Sequence, residues 1–211
     1  MQTRRPWLRR ASVTAVSAAA LVAMAAPADA APTAQASTAA SAATTAAAVD
    51  YATWQKDCQA VMDQALPYLK QRIAAAKAGE KQAIVFDIDN TTLETDFGFS
   101  YPQPANKPVL EVARYAQERG VALFFVTARP DIIHSFTDYN LKQAGYQVSG
   151  LYVRNFIDLF KNVAEYKTAQ RVDVEKKGYT IIANIGNSAT DLSGGHAEKT
   201  YKLPDYDGQL S

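Results

Sequence analysis

The stretch from Ala83 to Thr92 reads Ala-Ile-Val-Phe-Asp-Ile-Asp-Asn-Thr-Thr. Its apolar run Ile84-Val85-Phe86 has the length and β-branching of a strand buried on both faces. The run ends abruptly in two carboxylates two residues apart, then amide and hydroxyl side chains, which continue a strand poorly. Polar groups at the carboxyl end of such a strand stand where open α/β sheets bind their ligands. Asp87 is therefore the expected centre of the chemistry.

The surrounding periodicities extend that strand into a fold. From Tyr51 to about Lys77, Ala52, Cys58, Val61, Met62, Ala65, Leu66, Leu69 and Ile73 recur at helical spacing. They predict an amphipathic N-terminal helical arm, with Pro67 expected to kink or divide it. Strands are then expected at 83–86, 121–126, 151–153 and 180–185, alternating with helices at about 108–118, 132–143 and 165–176. Residues 200–203 are expected as a short edge strand. Near-continuous apolar strands separated by helices predict an α/β fold: a three-layer Rossmann-like parallel sheet with helices on both faces. Gly120, Gly145 and Gly178 fall where helix C-terminal caps are needed.

Composition sets the boundaries. Arg4, Arg5, Arg9 and Arg10 precede an apolar stretch from Ala11 to Ala26, and Ala28-Asp29-Ala30 is a small-x-small cleavage site. Residues 1–30 thus read as a secretory signal peptide, with an apolar part too short to span a bilayer. Thr3-Arg4-Arg5-Pro6-Trp7-Leu8-Arg9 also resembles a twin-arginine export signal, with Trp7 in place of the usual Phe. Secretion by the Sec or twin-arginine route is the expected localisation. Residues 31–49, nearly all Ala, Ser and Thr, are expected as a disordered tether, and 50–211 as one domain. The whole chain carries +1, and four Arg against one Asp lie in its first thirty residues, leaving −2 on the remainder. That balance offers no footprint for nucleic acid or a membrane. Cys58 is the only cysteine, which excludes an intrachain disulfide and reads as a buried, inert thiol. His134 and His196 are the only histidines, and without cysteine partners they make no zinc site.

Four pieces in order now carry a resemblance: Asp87-Ile88-Asp89-Asn90-Thr91; Val126-Thr127; Lys167 on a later helix; and Gly186-Asn187-Ser188-Ala189-Thr190-Asp191 after another strand. Together they resemble the motifs of the haloacid dehalogenase superfamily. Phe86 to Leu93 and the tail Gly194 to Pro204 are similar to its secreted acid phosphatases, the class B and subfamily IIIB branch. The resemblance implies a Mg²⁺-dependent phosphomonoesterase, acting on small-molecule phosphate monoesters through an aspartyl phosphate. It implies Asp87 as nucleophile, Asp89 as proton carrier and Lys167 as the bridge between phosphate and Asp87, with Lys161 as substitute. Asn90, Thr91, Thr127 and Ala128 are the implied phosphate-binding residues, and Asp87, Asp89, Asn187 and Asp191 the implied metal site. Elementary chemistry agrees: a carboxylate attacking phosphorus needs a second carboxyl of different pKa, fixed donors around the phosphoryl oxygens and an all-oxygen cation site. The plain alternatives are a capped strand-to-loop turn for Asp87 and Asp89, a helix-capping hydroxyl for Thr127 and a solvated lysine at 167.

Two features depart from the pattern. Asn187 stands where most relatives carry aspartate, so it offers the metal a carbonyl oxygen without the charge. That departure motivates the alternative reading, a non-catalytic phosphatase-like binding or storage protein. A phosphotransferase, passing the phosphoryl group to an alcohol, would share the first half of the mechanism. The segment from Glu94 to Lys107 is too short for a capping domain and predicts a short cap loop over an open site. Its Phe97, Phe99 and Tyr101 are candidates for stacking on a substrate ring, or for packing on one face of an extended segment.

Overall fold

The computed structural model describes residues 48–98 and 100–210. The expected signal peptide, most of the expected tether and Phe99 lie outside the described residues. Helix α1 (Tyr51–Ala74) opens the fold, capped by Asp50, whose side chain accepts from the Thr53 amide at 2.8 Å. The helix runs through Pro67 undivided. A proline forfeits one backbone hydrogen bond, whereas the stripe of Trp54, Cys58, Met62, Ala65 and Leu69 buries the helix along its length. Cys58 is fully buried, and burial pushes its thiol up to about 11.

Five strands follow: β1 (Lys81–Phe86), β2 (Ala122–Pro130), β3 (Gly150–Arg154), β4 (Tyr179–Gly186) and β5 (Thr200–Lys202). Their order is β3-β2-β1-β4-β5 and every pairing is parallel. Helices α2 (Lys107–Gln117), α3 (His134–Gln143) and α4 (Val163–Lys176) make the crossovers, and the short α5 (Ala189–Leu192) follows β4. Successive side chains of a strand point to opposite faces, and the core divides accordingly. Ile84, Phe86, Leu123 and Phe125 pack with α1, α2 and Leu141 of α3, whereas Ala83, Val85, Phe124 and Val126 pack with Tyr166 and Val174 of α4. The result is the expected three-layer α/β sheet with helices on both faces.

The strand order reverses at β1, where the chain passes from the β1-β2-β3 half to β4 and β5. A reversal of this kind opens a crevice at the carboxyl ends of the two central strands. Asp87 follows β1 and Asn187 follows β4, so the crevice lies between the two polar clusters. Gly120, Gly145 and Gly178 all take positive φ beyond α2, α3 and α4. Several boundaries shift by a residue or more from the sequence periodicity, most of all that of β2. β2 continues past 126 to Pro130, which pairs with Arg154, and α3 starts only at His134 after a 3-10 turn at Asp131–Ile133.

Candidate active site

After β1 the Asp87 amide still bonds the Ile185 carbonyl at 2.9 Å, so the first aspartate is held in the ladder. The chain then turns tightly: the amides of Thr91, Thr92 and Leu93 all converge on the Ile88 carbonyl. Asn90 takes a left-handed φ of 51°, a conformation asparagine tolerates better than most side chains. The turn returns through an excursion closed where Glu94 bonds the Pro104 carbonyl and Asn106 that of Thr92. This is the short cap loop.

Lys167, on α4, projects into the crevice and is 4% exposed. Its Nζ lies 2.6 Å from Asp87 Oδ1 and 2.5 Å from Asp191 Oδ1. Burial opposes the ammonium charge, but the Asp87 and Asp191 carboxylates together hold its pKa above the ordinary lysine range. Asp87 is pushed up, first by burial and then by Asp191 and Asp89, against the pull of Lys167. Its second oxygen accepts no hydrogen bond from the described residues, and Asp87 lines a cleft of about 370 Å³. Asp191 is pinned from behind. Its Oδ2 accepts from the Ser188 amide at 2.7 Å in a capping box for α5, and its carbonyl accepts from buried Arg171 and Asn184. Gly186 permits the approach, because a Cβ there would stand 2.4 Å from that of Asp191.

Asp89 is held quite differently. Arg129 reaches it with Nη2 at 2.8 Å and Nε at 3.1 Å, and the Thr95 hydroxyl donates at 3.0 Å. Burial raises its pKa, but these donors and the guanidinium charge outweigh burial and hold the carboxyl below its ordinary range. Two carboxylates at one strand end are thus driven in opposite directions by their surroundings.

Four aspartates line the cleft, Asp87, Asp89, Asp96 and Asp191, against the cations Lys167 and Arg129. The donors are all oxygens and the charge balance is negative, which suits a hard dication. Among the described residues no three or more His, Cys, Asp or Glu side chains converge as a ready cage. Magnesium needs none, since it is usually bound through one or two carboxylates, neutral oxygens, water and substrate phosphate. Asn187 lines the cleft too. Its Oδ1 accepts from the Thr91 hydroxyl at a long 3.3 Å, and its Nδ2 donates to the Leu210 carbonyl at 2.5 Å.

A family model described as "HAD superfamily, subfamily IIIB (Acid phosphatase)" matches residues 7–103 and 100–209. The chain belongs to this family. Among relatives of the subfamily IIIB chain is the Stem 28 kDa glycoprotein of Glycine max, 32% identical over 119 residues, which are 54% of this chain and 47% of that protein. The Stem 31 kDa glycoprotein of the same plant is also 32% identical over 119 residues, covering 54% and 41%. The chain therefore spans about half the length of the curated relatives it matches. In fold it is similar to the structure of the class C acid phosphatase from Bacillus anthracis, with a TM-score of 0.55 at 17% identity over 69% of this chain and 67% of that one.

The structure brings Asp87, Asp89, Asn90, Ala128, Lys167, Asn187 and Asp191 to one cleft of this acid phosphatase fold. Thr127 is buried beside it, its hydroxyl 3.5 Å from Asp89 Oδ2 and accepting from the Arg129 amide. It caps no helix, because β2 runs past it. Thr91 is fully buried behind the cleft and supports Asn187 rather than lining the cavity. Lys161, the substitute for Lys167, pairs instead with Asp158 at the surface. Phe97 is a correction to the stacking expectation: its ring stacks on Trp54 at 4.4 Å and meets Tyr51 edge-on, so it clamps the cap loop to α1. Tyr101 stands away from the carboxylates in a neighbouring cavity with Ile133 and Phe136. Sequence reasoning missed Arg129, Thr95 and Ser188. Arg129 had a legible signal, since residues 127 and 129 share one face of a strand.

Proposed function

We propose that this chain is a Mg²⁺-dependent phosphomonoesterase working through an aspartyl phosphate. The observation that carries the reading is the buried Lys167 ammonium bridging Asp87 and Asp191 at the point where the strand order reverses. The ammonium holds one oxygen of Asp87 and leaves the other without a hydrogen bond from the described residues. That oxygen attacks phosphorus as the bond to the alcohol breaks, and Asp89 delivers a proton to the leaving oxygen. Asp89, again a carboxylate, then takes a proton from water as the water attacks phosphorus and the bond to Asp87 breaks. Each turnover passes one proton through Asp89. Asp87, the Asp89 carbonyl, Asn187 and Asp191 are the residues for Mg²⁺, which when bound supplies charge to the phosphoryl oxygens. Ala128 and Asn90 line the phosphoryl side beside the Lys167 charge, with Thr127 buried behind them.

The storage or binding-protein alternative rested on asparagine at 187. The Nδ2 bond to Leu210 supplies a structural reason for the amide that requires no loss of catalysis. The proposal extends to a domain at 50–211 behind an export signal and a tether, supported by the arginine-led N-terminus. Among the described residues no helix is long and apolar enough to cross a membrane.

The test is phosphate release from 4-nitrophenyl phosphate by the protein with and without Mg²⁺, beside Asp87→Asn. Metal-dependent turnover that vanishes in the variant is the expected result. Absence of turnover in both proteins at millimolar Mg²⁺ would transfer the reading to the binding protein, and competition by added alcohol would reveal phosphotransfer.

A further inference from the structure

One turn beyond Lys167 on α4 stands a second buried cation, Arg171, which the reaction scheme does not use. It is 1% exposed, and among the described residues it forms no ion pair. Its donors go to neutral groups instead. Nε donates to the Gly195 carbonyl at 2.9 Å and Nη1 to the Asp191 carbonyl at 2.7 Å. Nη2 donates to the Ser193 carbonyl and to the Thr168 hydroxyl, the latter at 3.1 Å. A buried charge ordinarily answers an opposite charge; this guanidinium gathers the alternate carbonyls of residues 191, 193 and 195. Its rigid fork can span several acceptors at once, which the point charge of a lysine ammonium does not.

The helix supplies a second, independent observation. Lys167 and Arg171 share one face of α4, because side chains four apart lie one above the other. Both reach Asp191: the ammonium takes its carboxylate at 2.5 Å, and the guanidinium takes its carbonyl. The segment beyond Asp191 also lies close against α4. The Thr168 hydroxyl donates to the Ser193 carbonyl at 3.1 Å, and a Cβ at Gly194, where φ is 81°, would collide with that hydroxyl. The helix that carries the Lys167 ammonium therefore also fixes the backbone that carries the Asp191 carboxylate.

We propose that Arg171 is a positioning residue for Asp191, clamping residues 191–195 onto α4 so that the carboxylate is held ready for the cation. The proposal rests on the reading of Asp191 as a metal ligand. A ligand whose backbone is loose must be ordered as the metal binds, and losing an outer partner of a ligand typically costs about 10-fold to 100-fold in metal affinity.

The experiment measures the Kd for Mg²⁺, added alone, by calorimetric titration and by the rise in melting temperature across a Mg²⁺ series. The proteins are wild type, Arg171→Met, Arg171→Lys, Thr168→Val, Asp191→Asn and Val174→Ala. Both Arg171 variants are expected to weaken Mg²⁺ by about tenfold to hundredfold, and the lysine should not rescue, because one ammonium cannot hold the separate carbonyls. Thr168→Val, which removes one prop of the same clamp, should weaken Mg²⁺ by a smaller factor. If Arg171→Met does not fold, Arg171→Lys and Thr168→Val carry the test. Val174→Ala makes a cavity on the same helix; it should lower the melting temperature yet leave the Kd within about twofold of wild type. Arg171→Lys and Thr168→Val that melt lower but bind Mg²⁺ as wild type does, beside a weakened Asp191→Asn, overturn the proposal and leave Asp191 a ligand. An Asp191→Asn protein that binds Mg²⁺ as wild type does overturns that reading, and the proposal with it.

Discussion

At the scale of single residues, Asn187 gives the most informative contrast. Its amide looks like a weakened metal ligand when only the local pattern is considered, yet its nitrogen bonds the carbonyl of Leu210, 23 positions away. Aspartate there would set two acceptors against each other. We expect Asn187→Asp to lower stability without metal by about 1 to 3 kcal/mol, the usual cost of an orphaned buried acceptor. The same change should increase the stabilisation gained on adding Mg²⁺, since a charged ligand tightens the site and a ligand bound only by the folded state raises its melting temperature. Melts of both proteins across a Mg²⁺ titration check the two effects separately. An unchanged or smaller metal response would remove residue 187 from the ligand set.

Among elements, an ion network ties the helical arm to the sheet. Arg72, near the end of α1, pairs with Glu80 just before β1 and with Glu198 just before β5. Arg72 is the main cause holding Glu80 down to about 2, against an ordinary 4.5, and it also lowers Glu198. A carboxylate depressed in the folded state contributes fully above its ordinary pKa and loses that contribution as pH falls through the folded value. This part of the stability should therefore be intact at neutral pH and disappear between about pH 4.5 and 2. Urea unfolding across that range should show a steeper decline for wild type than for Arg72→Met, with the two curves converging at the acid end. Parallel curves would show that the network does not link the arm to acid stability.

For the whole molecule, the described residues belong to one compact unit, with Val49 packed on the core and Asp50 capping α1. A chain starting at Ala48 should match the full chain in melting temperature. A chain starting after α1 should fail to fold, because it deletes Trp54, Cys58, Met62, Ala65 and Leu69, each of them at most 1% exposed. Circular dichroism melts of the two truncations check this, and an equally stable shorter chain would make α1 an accessory. Phe97 belongs to the same account: its stacking on Trp54 makes the arm the support on which the cap loop rests.

The sequence alone determined the strand-and-helix alternation, the parallel sheet and the position of Asp87, because these depend on short periodicities and on residues adjacent along the chain. It also identified Lys167 and Asp191, though only through a spaced pattern, since a helical lysine carries no local mark of burial. Tertiary structure alone decided what each carboxyl experiences. Asp87 is raised by burial beside Asp191 and Asp89 is lowered by Arg129, and in both cases the neighbour comes from a different element, α5 for Asp191 and β2 for Arg129. Tertiary structure likewise turned Phe97 from a substrate candidate into a packing residue and gave Asn187 a partner near the chain's far end. Electrostatics and packing act through space over a few ångströms, and only the folded chain establishes which residues come that close.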